Sequence, residues 1–341
     1  MIAQLLESTA QAMVADGKGI LAIDESSPTI KKRFDSINTE CTEESRRAYR
    51  ELLITCAGIE QFISGMILFD ETLRQSTSDG EPFPEVLKKK GIMPGIKVDK
   101  GAKDLAGHPN EKVTEGLDGL RDRLAEYREL GSPFAKWRSV ITIGDGIPSA
   151  GCIQANAHGL ARYAALCQEA GLVPMVEPEV LLDGNHTIDR CLEVTEATLR
   201  AVFASLTEQR VLLEGTILKA SMVLSGKNAP DRAGVEEVAQ KTLLCLKRSV
   251  PAALPGVVFL SGGQTPREAT AHLNAMNAMA DRLPWKLSFS YSRALQEPCL
   301  NIWRGDAANG KSAQEALYHR AQLNSAASEG RYSENMEKKA A

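Results

Sequence analysis

Residues 212–223 read LLEGTILKASMV. The strand-compatible run Thr216-Ile217-Leu218 leads directly into Lys219, and small residues, Ala220 and Ser221, follow it. Lysine side chains mostly end in water. A lysine that closes a segment patterned as a buried strand therefore needs a reason, and the rest of the chain supplies one. Similar apolar or β-branched runs recur as GILAID (19–24), GMILFD (65–70), GIKV (95–98), FAKWRSVITI (134–143) and VPMVEPEVLL (173–182). They continue as EGTILKASMVL (214–224), GVVFLSG (256–262) and KLSFSYS (286–292). Between most of them lie helical patterns rich in Ala, Leu, Glu and Arg, at 42–57, 115–130, 155–170, 191–208, 234–250 and 266–279. Strands alternating with helices of this length predict βαβ units and a parallel sheet. Eight strands with no Gly/Ser- or Pro-rich linker predict an α/β fold, a (β/α)8 TIM barrel over residues 1–341. An N-terminal amphipathic helix and a helical C-terminal extension near 311–328 are expected additions, with a mobile tail from about 329 to 341.

Polar residues end or interrupt these strands at a recurrent interval: Asp24, Lys97, Lys136, Glu177, Lys219, Ser261 and Arg293. From Lys97 onward the steps are 39, 41, 42, 42 and 32 residues. A βα unit takes roughly 30 residues or more, so each step is one unit, and the set should meet at one end of the barrel. Active sites of such barrels sit at the C-terminal strand ends. For any one of these residues, a solvated charge at a strand end is the simpler reading. Seven in register favour a shared site.

Composition narrows the functions. The 341 residues are 43% hydrophobic and 25% charged, with net charge −4, ordinary for a globular protein and without the basic footprint of a nucleic-acid binder. No run of 18 apolar residues predicts a membrane span, and the N-terminus lacks the basic start and apolar core of a signal peptide. Seven scattered cysteines without a CxxC fit a reducing cytoplasm better than a disulfide framework. The five histidines, His108, His158, His186, His272 and His319, lie off the strand runs, so no metal site and no cofactor is expected.

A lysine withdrawn from water near other cations suits nucleophilic attack on a carbonyl, because both effects favour the free amine. Strand alternation sends Glu177 and Glu179 to the same face, where paired carboxylates could move protons as an imine forms and hydrolyses. A structural ion pair at a strand end is the competing reading. VVFLSGGQTPREA offers an anion site from the backbone of Gly262 and Gly263, aided by the helix that starts near Pro266 and by Arg293. DESSPTIKKR offers a weaker one, with Ser26, Thr29 and Arg33.

At these residues the sequence resembles the class I, Schiff-base fructose-bisphosphate aldolases. The resemblance runs through GKGILAIDES, ESRRAYRELL, GIKVDKG, EGLDGL, FAKWR, NAHGLARYA, VPMVEPE, LEGTILK, FLSGGQ and FSYSRALQ, in order and over nearly the whole chain. It implies reversible cleavage of a sugar bisphosphate, fructose 1,6-bisphosphate, without a metal, commonly by a homotetramer. Lys219 would be the Schiff-base lysine and Glu177 the acid/base of imine formation. Glu179 would orient Lys219, Asp24 would take the carbon-4 hydroxyl proton, and Lys136 would support it. Lys97, Ser26 and Arg33 would hold the 6-phosphate and Ser261, Gly262 and Arg293 the 1-phosphate, with Thr29, Gly263 and Ser292 also among the phosphate-binding residues. Arg138, in FAKWR, would also bind substrate phosphate.

Three departures qualify the resemblance. Ala220 stands where animal members have Pro, Thr29 where they have Ser, and Ser292 where many have Gly. The chain also ends GRYSENMEKKAA, without the terminal tyrosine that assists enamine proton exchange in animal members. Another group or water does that step, or Tyr332 partly substitutes, and slower exchange is expected. Sedoheptulose 1,7-bisphosphate remains an alternative substrate. A transaldolase-like enzyme fits less well, because two phosphate sites are foreseen. A non-enzymatic scaffold of this fold would require the polar constellation to have decayed.

Overall fold

A computed structural model describes residues 2–280 and 282–339. Residues 340 and 341 of the expected tail lie outside them. Among the described residues, eight parallel strands close into a barrel: β1 (Gly19–Ile23), β2 (Ile63–Leu68), β3 (Met93–Lys97), β4 (Phe134–Ile141), β5 (Val173–Val180), β6 (Ile217–Ala220), β7 (Gly256–Phe259) and β8 (Lys286–Tyr291). Each pairs with its neighbours in sequence, and β8 returns to β1 through Ile20 opposite Ser290.

Alternation sorts the barrel filling by height. Ile20, Ala22, Ile67, Phe134, Val173, Met175, Ile217 and Val258 form one buried apolar cluster. Leu6, Ala10 and Met13 of helix Ile2–Met13 join it. Their spacing puts them on one helical face, so the N-terminal helix plugs the lower mouth. Gly95 exists because the Phe134 ring occupies its side-chain space: a Cβ there would sit 2.1 Å from Phe134 Cζ. The residues that alternate with these, including Leu21, Ile23, Trp137, Val176 and Leu218, belong to a second cluster outside the barrel, where the helices pack.

Several boundaries differ from expectation. The 65–70 run becomes Ile63–Leu68, because Asp70 opens a short helix, Asp70–Arg74. Of 214–224 only Ile217–Ala220 is strand, preceded by a 3-10 turn at Leu213–Gly215. Helix Leu120–Glu129 starts five residues later than the pattern from 115 proposed, after Gly119 in a left-handed conformation. An antiparallel hairpin, Ala102–Asp104 with Lys112–Thr114, and helices Ser27–Asp35 and Arg293–Trp303 were not foreseen. The pairing of β5 with β6 runs only through Met175 and Val176. Pro178, which has no N–H to donate, lies beyond that pairing.

Helix Gly310–Ser328 covers the expected extension. Within the segment expected to be mobile, Glu334–Lys339 forms a 3-10 turn, and Glu337 pairs with buried Arg320 at 2.6 Å. Among the described residues, no helix is long and apolar enough to cross a membrane.

Candidate active site

The same alternation that packs the lower barrel places charge above it. Inward positions continue from Phe134 to Lys136 and Arg138 on β4, and from Met175 to Glu177 and Glu179 on β5. They continue from Ile217 to Lys219 on β6, and from Ala22 to Asp24 just past β1. A cavity of about 670 Å³ opens over this layer, and all fifteen candidate residues line it.

At its floor four side chains form one ionic chain. Lys219 Nζ lies 3.0 Å from Glu177 Oε1, with each side chain 4% exposed. Glu177 Oε2 lies 3.1 Å from Lys136 Nζ, which in turn lies 2.6 Å from Asp24 Oδ2. Burial pushes the Asp24 carboxyl upward, but the ammonium groups of Lys136, Lys219 and Lys97 outweigh it and hold it well below the carboxylate range. Glu177 is likewise held low, against burial, by Lys136, Lys219 and Arg138. Burial opposes the charge of Lys136, yet Asp24, Glu177 and Asp99 raise its pKa overall. Two carboxylates and two ammonium groups thus stabilise one another where each alone would be costly.

Glu179, expected to orient Lys219, pairs with Arg138. Arg138 lies opposite Glu177, and Glu179 is opposite Val140. Glu179 is therefore the diagonal inward neighbour of Arg138, within reach of a long side chain. Among the described residues, the carboxylate paired with Lys219 is that of Glu177.

The anion-binding candidates divide differently from the expectation. Arg33, expected beside Lys97, donates from Nη2 to Ser292 Oγ at 3.0 Å. Barrel closure sets β8 beside β1, so the helix after β1 meets the loop after β8. Lys97 instead pairs with Asp99 at 2.8 Å. Ser26 and Thr29 lie together, with hydroxyl oxygens 3.3 Å apart, at the N-terminus of helix Ser27–Asp35, which has no side-chain cap hydrogen bond. Gly262 and Gly263 have φ of +43° and +87°, a conformation other residues rarely adopt. The helix at Pro266 is not open to an anion as expected. The Thr265 hydroxyl accepts from Glu268 N, and the Glu268 carboxylate accepts from Thr265 N, a closed capping box. The adjacent helix Arg293–Trp303 carries no side-chain cap hydrogen bond, and its positive N-terminal end suits an anion.

Two residues escaped the sequence reading. Glu25, 7% exposed, accepts from Ser292 Oγ and Gln296 Nε2, each at 2.8 Å, and lies 2.5 Å from Arg33 and 2.6 Å from Arg50. Asp99 holds Lys97 and accepts from the amides of Gly101 and Arg138. Both stood inside quoted motifs, one place after Asp24 and two after Lys97.

Residues 5–341 match the family described as "Fructose-bisphosphate aldolase class-I". The chain is 62% identical over 333 residues to "Probable fructose-bisphosphate aldolase class 1" of Xanthomonas campestris pv. campestris, covering 97% of this chain and 99% of that one. It is 54% identical to "Fructose-bisphosphate aldolase 4, cytosolic" of Arabidopsis thaliana, covering 93% and 80%. Among solved structures, fructose-bisphosphate aldolase of Plasmodium falciparum, in a complex with TRAP and a small-molecule inhibitor, superposes with TM-score 0.96 at 49% identity, over 97% and 96% of the two chains.

Proposed function

The chain belongs to the class I fructose-bisphosphate aldolase family, and from that premise we propose which residues carry the reaction. The protein is a carbon–carbon lyase that reversibly cleaves fructose 1,6-bisphosphate to dihydroxyacetone phosphate and glyceraldehyde 3-phosphate in glycolysis. Sedoheptulose 1,7-bisphosphate as the main substrate gains no support from these relatives.

The observation that carries the assignment is buried Lys219, with its amine 3.0 Å from Glu177 at the cavity floor. Glu177 receives the proton that Lys219 must lose to become a nucleophile. The free amine attacks carbon 2 of the ketose, and the carbinolamine loses water when Glu177 returns a proton to its hydroxyl. Asp24, kept ionised by Lys136, then takes the carbon-4 hydroxyl proton. The bond between carbons 3 and 4 breaks, and its electron pair passes into the protonated imine as an enamine. Glyceraldehyde 3-phosphate leaves. Protonation of the enamine at carbon 3 and hydrolysis of the imine release dihydroxyacetone phosphate and restore Lys219. Lys136 holds Asp24 and Glu177 in place through both halves.

The two phosphates sit on opposite sides of Lys219 in this account. The Ser261-Gly262-Gly263 turn, Ser292, Arg293 and Arg33 take the 1-phosphate. Lys97, Arg138, Ser26 and Thr29 take the 6-phosphate. Replacing Lys219 by Met tests the assignment. Cleavage should fall to background while the circular dichroism spectrum is kept. Substantial residual turnover would refute the role.

We further infer a cytoplasmic homotetramer that works as one catalytic domain per chain. Support comes from the named cytosolic relative and from the family resemblance. Light scattering should give about four times the 36.9 kDa chain mass. A monomer at working concentration would count against it.

A further inference from the structure

We infer that His272 is a positioning residue for the phosphate turn, acting through Gln264. This rests on the proposal that the Ser261-Gly262-Gly263 turn holds the phosphate of dihydroxyacetone phosphate. The Ser261 carbonyl accepts two hydrogen bonds, from the backbone N–H of Gln264 at 2.9 Å and from Gln264 Nε2 at 2.9 Å. The two central residues, Gly262 and Gly263, both have positive φ, so steric restraint from side chains is absent where the turn must be most sharply defined. The second hydrogen bond replaces it.

That bond exists only while the Gln264 amide faces one way. Turned over, its oxygen would confront the Ser261 carbonyl, acceptor against acceptor. His272 Nδ1 lies 2.6 Å from Gln264 Oε1, and with Nε2 of Gln264 committed to Ser261, Oε1 must accept. Nδ1 of His272 therefore carries the hydrogen and fixes the amide. Both side chains are buried, Gln264 at 2% and His272 at 5% exposure, so water does not substitute freely. Burial pushes the imidazole down to about 4, which leaves it neutral at working pH. His272 projects from helix Pro266–Met279, whose capping box holds its start next to the turn. The chain His272–Gln264–Ser261 thus joins a rigid helix to the flexible glycines.

The test uses the intact enzyme in the condensation direction. In His272→Leu, the KM for dihydroxyacetone phosphate should rise about five- to tenfold, the effect of one lost hydrogen bond, with kcat and the KM for glyceraldehyde 3-phosphate held within about twofold. His272→Asn should restore the low KM, because Asn Nδ2 stands as many bonds from Cβ as His Nδ1. If His272→Leu does not fold, Gln264→Leu must give the same selective rise. An unchanged KM for dihydroxyacetone phosphate, or equal rises in both KM values, overturns the proposal. Arg293→Ala run in parallel separates the two ideas. A rise there without one in His272→Leu overturns the positioning role alone. No rise in Arg293→Ala overturns the phosphate reading and this inference with it.

Discussion

Lys136 Nζ lies 2.6 Å from Asp24 Oδ2, and the lysine side chain is 3% exposed. The same ammonium lies 3.1 Å from Glu177. It is the cation shared by Glu177, which moves protons at carbon 2, and Asp24, which takes the proton of the carbon-4 hydroxyl.

Lys136→Met should therefore damage both steps. A drop in kcat of about 10²- to 10⁴-fold is expected, the range for losing a proton-transfer partner. With Lys136 gone, burial acts on Asp24 with less opposition, so its pKa rises. The acidic limb of the kcat/KM profile should move to higher pH. An unshifted limb would show that Lys136 does not set the ionisation of Asp24.

Glu25→Gln removes the carboxylate between Arg33 and Arg50. Breaking a buried ion pair on one side costs about 3–5 kcal/mol, and urea unfolding should register a loss of this order. The pH dependence follows from direction. Burial raises the Glu25 pKa, but Arg33 and Arg50 outweigh it, so the folded value lies below the ordinary 4.5. Its contribution is complete above pH 4.5 and disappears as pH falls through the folded value. The urea midpoint of Glu25→Gln should fall less steeply than that of the parent below pH 4.5. Parallel curves would contradict the ion-pair account.

Gly95→Ala tests the packing beneath the site. The added Cβ would meet the Phe134 ring at 2.1 Å, and the ring is walled in by the lower cluster. A loss of about 1–3 kcal/mol is expected from overpacking. An unchanged unfolding midpoint would mean that Phe134 has room to move.

The fate of Tyr332 bears on carbon-3 protonation. Its hydroxyl donates to Glu337 Oε1 at 3.0 Å, and burial with the nearby Glu337 carboxylate pushes the phenol up to about 12. Among the described residues it does not line the central cavity. Tyr332→Phe should leave tritium exchange at carbon 3 of dihydroxyacetone phosphate unchanged, within about twofold. A large drop in the variant would return Tyr332 to the site.

The barrel and its charged layer were legible because they rest on two local periodicities. Period-2 strands set which side chains face inward, and the spacing of βα units set their common height. Contacts that depend on closure were not legible. Arg33 meets Ser292 only because β8 returns to β1, some 259 residues away in sequence. The diagonal choice of Arg138 by Glu179 depends on register, which the spacing of motifs does not contain. The closed helix start at Pro266 was legible but went unread, since Thr265 and Glu268 stand at the capping-box spacing. Glu25 and Asp99 looked like ordinary polar neighbours until their partners converged from distant elements.

The central claim is that Lys219 forms the covalent bond to substrate. The most direct measurement is borohydride reduction with dihydroxyacetone phosphate present, followed by peptide mass mapping. The account predicts a single stable adduct on the peptide containing Lys219, with loss of activity in proportion to labelling. An unmodified Lys219 in inactivated enzyme, or an adduct on Lys136 or Lys97 instead, would contradict it.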